Sequence, residues 1–77
     1  MSINITELSA GDSAVIEGYD RTNKSYLDKL LSMGLTKKTE IKIVKFAPLG
    51  DPVEIEVRGF NLSLRKDEAK ILKLRRV

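Results

Sequence analysis

Val53-Glu54-Ile55-Glu56-Val57-Arg58 alternates apolar and charged side chains without a break, and Phe60-Asn61-Leu62-Ser63-Leu64-Arg65 alternates again after Gly59. Successive side chains on a strand point to opposite faces, so each run lays its apolar residues on one side. Arg58-Gly59 between them is a tight turn, and residues 53 to 65 read as one β-hairpin. Val53, Ile55, Val57, Phe60, Leu62 and Leu64 form its expected inner face.

Upstream, Ala47-Pro48-Leu49-Gly50-Asp51-Pro52 is a loop, marked by two prolines and a Gly-Asp pair. Thr39 to Phe46 begins as another strand, with Ile41 and Ile43 alternating with Glu40 and Lys42. Val44 and Phe46 break that phase, which predicts a bulge or a strand that changes sheet. Before it, Tyr26, Leu27, Leu30 and Leu31 recur at helical spacing as one apolar stripe. Ser25 and Asp28 resemble a capping box. Gly34 is the natural left-handed residue after a helix because it has no Cβ to clash. Leu35 stands where a Schellman motif packs an apolar residue back on Leu30. The spacing therefore predicts a helix over Ser25 to Met33, too short to persist unless it docks. Ser13 to Gly18, with Ala14, Val15 and Ile16 at its centre, reads as a strand that follows an Ala10-Gly11-Asp12 turn.

Downstream of the hairpin, Lys66 to Lys70 holds a single helical turn, and Ile71, Leu72 and Leu74 form a closing strand with Lys73 and Arg75 outward. A ferredoxin-like fold needs a full second helix, and residues 66 to 70 are too few to supply one. The expectation is a mainly β domain with one short helix, a small five-stranded SH3-like barrel whose closure removes exposed strand edge.

The chain has 77 residues and 8.6 kDa, one small domain with a thin core. It has no cysteine and no histidine. Disulfides, thiolate or imidazole metal sites and Ser-His or Cys-His dyads are excluded with them. What remains is a carboxylate- or lysine-based site or a module that acts by binding; the expectation is a binding module and not an enzyme, with no cofactor. Net charge is +3, and the excess is concentrated: residues 58 to 77 carry seven positive and two negative side chains. The longest run without charge, Leu30 to Thr36, is far short of the roughly 20 residues of a membrane span. No basic residue precedes the first apolar positions, as a secretory signal requires. The expected location is cytoplasmic, with no membrane insertion.

Four stretches in register carry a family resemblance: Leu30-Leu31-Ser32-Met33-Gly34-Leu35, Ala47-Pro48-Leu49-Gly50-Asp51-Pro52, Arg58-Gly59-Phe60-Asn61-Leu62-Ser63-Leu64-Arg65, and Glu68-Ala69. Together they resemble the FeoA family over roughly Leu8 to Leu74. The resemblance implies an SH3-like domain and a small cytoplasmic accessory protein of the bacterial ferrous iron transporter FeoB. It also implies a partner, the cytoplasmic part of a FeoB-type transporter. Thr36-Lys37-Lys38-Thr39 stands where the family often places Pro-Gly, which leaves the type of that turn open. A related domain ends the iron-dependent repressors of the diphtheria toxin repressor type, but here no DNA-reading helix precedes it.

Candidate contact residues follow from the pattern. Leu49 is a large apolar residue in a proline-stiffened loop, and no strand face claims it. Asp51 shares that loop. Met33 ends the helix, where a flexible thioether suits a partner surface. Lys73 and Arg75 are the outward cations of the last strand. Two other readings stay open. Lys70, Lys73, Arg75 and Arg76 make a basic end that nucleic acid would fit, although only four aromatics, Tyr19, Tyr26, Phe46 and Phe60, are there to stack bases. Glu54 and Glu56, with Asp51, are oxygen donors for a hard cation in a weak transition-metal sensor or carrier. A solvated polar face is the simpler account of these carboxylates. With oxygen donors alone, a tight, selective Fe²⁺ site is not expected.

Overall fold

Strands β1 (Ser13–Tyr19), β2 (Glu40–Phe46), β3 (Val53–Val57), β4 (Phe60–Leu64) and β5 (Leu72–Arg76) form one five-stranded antiparallel sheet in order β4-β3-β2-β1-β5. The structure is a computed structural model and describes residues 2–77. Helix α1 (Lys24–Ser32) lies between β1 and β2, and one helical turn, α2 (Lys66–Ala69), lies between β4 and β5. A 3-10 turn at Ile5–Glu7 precedes them. The chain is thus mainly β, a small SH3-like fold as the pattern implied.

The hairpin forms as its alternation dictates. Val53 pairs with Leu64, Ile55 with Leu62 and Val57 with Phe60. Arg58 and Gly59 both take positive φ, 51° and 83°, the mirror-image turn whose twist matches that of the flanking strands. Val53, Ile55 and Leu64 are fully buried, with Val57 nearly so. Phe60 is not, contrary to its place in the pattern: it is 71% exposed, and Leu62 is only half-buried. Periodicity assigns a face, but β4 runs out past the core toward the hairpin tip, where nothing covers that face.

Helix α1 differs from expectation in two details. Its N-cap is Asn23, whose side chain accepts from the Tyr26 N–H at 3.1 Å, and not Ser25. Leu27 and Leu30 are buried, but Leu31 is 41% exposed, so the buried stripe is narrower than the sequence stripe. The C-terminus is as read. Gly34, at φ 89°, donates to the Leu31 carbonyl at 3.0 Å, and Leu35 donates to the Leu30 carbonyl at 3.1 Å. These are the two bonds of a Schellman motif, and Leu30 and Leu35 are both fully buried.

Thr36–Thr39 is a β-turn closed by a 3.2 Å bond from the Thr39 N–H to the Thr36 carbonyl, with Lys38 at φ 71°. Its third residue is the one that needs positive φ, so a lysine sits where glycine costs least. The phase break in β2 is a bulge: register against β3 shifts between Ile43 and Lys45, leaving Val44 exposed.

The hydrogen-bonded ladder stays open, because β4 and β5 end the strand order and do not pair. The two ends are treated differently. Ile3 bridges to Leu74 on the outer side of β5, donating at 2.6 Å and accepting at 2.9 Å. Nothing in the described residues does the same for β4. Between the two ends, α1 is tied to α2 by Lys29 Nζ on Glu68 at 2.6 Å, and the Glu68 carboxylate also accepts the Arg65 N–H at 3.2 Å. The Lys29 hydrogen bond, more than the local N–H, holds the Glu68 carboxyl below its usual value against the opposing effect of burial.

Two stability measurements follow. Ile55→Ala, at a fully buried site, is expected to cost about 2–5 kcal/mol in denaturant unfolding. For Glu68 the sign is set by a lowered folded-state pKa: its contribution is complete above the ordinary glutamate range and is lost as pH falls through the folded value. The melting-temperature gap between wild type and Glu68→Gln should therefore be largest near neutral pH and shrink through the acid range.

Candidate partner-binding surfaces

The five residues expected to touch a partner do not converge; the fold spreads them over three places. Leu49 stands at the tip of the 47–52 loop and is 92% exposed. The loop is closed on itself, with Gly50 donating to the Ala47 carbonyl at 2.6 Å and Ala47 to the Pro52 carbonyl at 3.0 Å. Asp51 has a local duty: its carboxylate accepts the Lys66 N–H at 3.0 Å and joins the loop to the start of α2.

Met33 lies elsewhere. With Val57, Arg58, Phe60, Asn61 and Leu62 it lines a groove of about 320 Å³ between the end of α1 and β4. Val53, beside the loop, and Val57, beside the groove, are opposite ends of β3, so the loop and the Val57 end of the groove are roughly 13 Å apart at ~3.3 Å per residue, with Leu62, opposite Ile55, between them. Leu49 and the helix end are therefore not neighbours. Arg58 spans the turn region: its guanidinium donates to the Thr36 and Thr39 hydroxyls, both at 3.2 Å.

Lys73 and Arg75 lie on β5, at the other end of the strand order. Arg75 Nε donates to Glu17 at 3.1 Å. Arg76 reaches Asp12 at 3.3 Å and the Glu7 carbonyl at 2.9 Å. Asp20 faces this region. Hydrogen bonds from Thr22, the backbone N–H first, hold its carboxyl below the usual value, and Lys73 adds a smaller effect. The basic end is thus partly neutralised by its own strand neighbours. Tyr19 is no stacking platform either: its hydroxyl donates to the Leu35 carbonyl at 2.7 Å, and burial pushes its pKa up.

The carboxylates do not assemble into a cation site. Glu54 accepts from Asn61 Nδ2 at 3.3 Å and lies 4.0 Å from Lys45 Nζ, while Asp51 serves Lys66. Among the described residues no three Asp, Glu, His or Cys side chains stand close enough to share a metal ion. No helix among them is long and apolar enough to cross a membrane.

An SH3-like sheet with a Schellman-capped helix before β2 and a stiff proline loop before the hairpin matches a known domain along its length: the FeoA domain model covers residues 3–76. The chain belongs to the FeoA family. A curated relative from Porphyromonas gingivalis, an Fe(2+) transport protein A/Fe(2+) transporter FeoB fusion protein, is 34% identical over 67 residues, which are 87% of this chain. The chain spans only 8% of that relative's length. The solution structure of a FeoA-like protein from Clostridium acetobutylicum superposes with TM-score 0.91 at 34% identity, covering 99% of this chain and 87% of the other. A manganese-dependent transcriptional repressor in complex with manganese reaches TM-score 0.92 at 10% identity, over 99% of this chain and 37% of its own. That is a likeness of fold alone.

In this FeoA domain the feature that residue-by-residue reading missed is the β4 side of the groove. Its signal was present in the sequence: Gly59 to Leu64 is uncharged and is followed by Arg65, whereas β5 carries Lys73, Arg75 and Arg76 within five residues.

Proposed function

We propose that the chain is a non-enzymatic adaptor of ferrous iron transport that acts in the cytoplasm by docking on the cytoplasmic part of a FeoB-type transporter. The observation that carries this reading is the Porphyromonas gingivalis relative, in which the matching segment belongs to one chain with the transporter FeoB. Covalent linkage raises the effective concentration of a module at its target, which supports a contact between the two parts of that relative. The geometry supports a binding role. Leu49 in its closed loop offers an apolar anchor with little entropy to lose, and Met33, Leu62 and Phe60 offer a second apolar area.

The test is titration of the chain against the soluble cytoplasmic domain of a FeoB-type transporter. Saturable association is expected, and its absence overturns the reading. Leu49→Ala should remain folded, because the side chain touches little of the core, and should weaken association by about 1–3 kcal/mol, the burial of one leucine. Equal affinity with an intact circular dichroism spectrum places the contact away from the loop.

In this reading the protein acts on the transporter and does not carry the ion. Anaerobic calorimetric titration with Fe²⁺ should show no stoichiometric sub-micromolar binding, since oxygen donors that do not converge give neither affinity nor selectivity over Mg²⁺. A single tight site would contradict it.

A further inference from the structure

An open sheet has two edges, and among the described residues one is bridged at its middle while the other is bare along its length. On β5, Ile3 takes the outward N–H and carbonyl of Leu74, and Lys73, Arg75 and Arg76 charge the strand. Cations and a covering segment are the usual protection against unwanted strand pairing. β4 has neither. Its residues carry no charge, and it contains no proline. In a hairpin closed by the Arg58-Gly59 pair, Phe60, Leu62 and Leu64 face β3 with their backbone groups, which leaves the N–H and carbonyl of Asn61 and Ser63 pointing away from the sheet. No other backbone group among the described residues bonds to them. Asn61 and Ser63 are exposed, and Asn61 lines the groove whose far wall is Met33.

We infer that β4 is a docking edge that accepts an extended peptide segment of a partner as a sixth strand, a segment with apolar residues at alternate positions and acidic residues at both ends. Backbone pairing with Asn61 and Ser63 supplies the affinity of such strand addition, and the alternate side chains supply the specificity. Residues opposite Phe60 and Leu62 fall on the apolar side of the groove. Those opposite Asn61 and Ser63 fall on the side of Glu56 and Glu54, where neutral side chains are required.

Charge decides the ends. Arg58 lies at one end of β4, Arg65 and Lys66 at the other, and none of the three makes an ion pair among the described residues. The same charges disfavour a second copy of this chain. Two β4 strands pairing antiparallel through Asn61 and Ser63 would set Arg58 opposite Lys66 of the second copy, and Arg65 next to its Arg58, at both ends of the pair. Like charges in register cost binding free energy and act against the wrong partner.

The probe is a short capped peptide, Asp-Glu-Val-Thr-Val-Thr-Val-Glu-Asp, titrated into the whole isotope-labelled chain, beside a version with lysines in place of its four acidic residues. It reads the edge directly, without the transporter, so its failure is separate from failure of the adaptor reading. The acidic peptide should shift the Asn61 and Ser63 amide resonances, slow their hydrogen exchange, and bind at least about tenfold tighter than the lysine peptide. Ser63→Pro, which removes an outward N–H that the hairpin does not use, should abolish the slowing while the melting temperature shows a folded chain. Absence of any change at these two amides, or equal binding of the two peptides, overturns the proposal for the wild-type chain even if Ser63→Pro does not fold. Concentration-dependent dimerisation with the same amides protected, in place of peptide binding, overturns it in favour of a second copy.

Discussion

A five-stranded sheet in a chain of 77 residues must dispose of two strand edges with very little spare polypeptide. Unpaired backbone groups at an edge are a template for any extended chain that passes. This fold covers one edge with Ile3, reinforced by the Arg76 side chain on the Glu7 carbonyl and by Asn4 Nδ2 on the Lys70 carbonyl at 3.1 Å. Among the described residues nothing covers the other edge. Much of the remaining architecture follows from this asymmetry. The N-terminal segment is committed to β5, so Ile5 and Leu8 fill the core from that side, while α1 and α2, joined through Lys29 and Glu68, add Leu27, Leu30 and Ala69 to it.

The parts that were legible in the sequence are those in which one residue type has one physical reason to be present. Gly34 and Gly59 both adopt positive φ, and each marks the end of an element where the pattern placed it. The alternation from Val53 to Leu64 gave the hairpin and its register, and the broken phase at Val44 gave the bulge. The N-cap was less legible because Asn23 and Ser25 are both good caps, and only the backbone decides between them. The 3-10 turn at Ile5–Glu7 is three residues long, too short for any periodicity to announce.

The site was less readable than the fold, for a reason that applies to any binding module. Alternation says which face a side chain takes, not whether another element covers that face. Phe60 and Leu64 are on the same side of β4, one exposed and the other buried. Nor does chain distance predict neighbourhood. Met33 and Leu49 are both apolar contact candidates, yet β3 separates them, and Asp51 fastens its loop to α2. Arg75 looked like a free cation until β1 placed Glu17 beside it.

The difference between the two edges is also the account's most direct point of test: residue-resolved amide hydrogen exchange of the free chain. The Leu74 amide, bonded to the Ile3 carbonyl at 2.9 Å, is predicted to exchange only through large-scale unfolding, whereas the Asn61 and Ser63 amides exchange nearly as fast as unstructured peptide. Protection of Asn61 and Ser63 equal to that of Leu74 would mean that β4 is already covered, and would contradict the account.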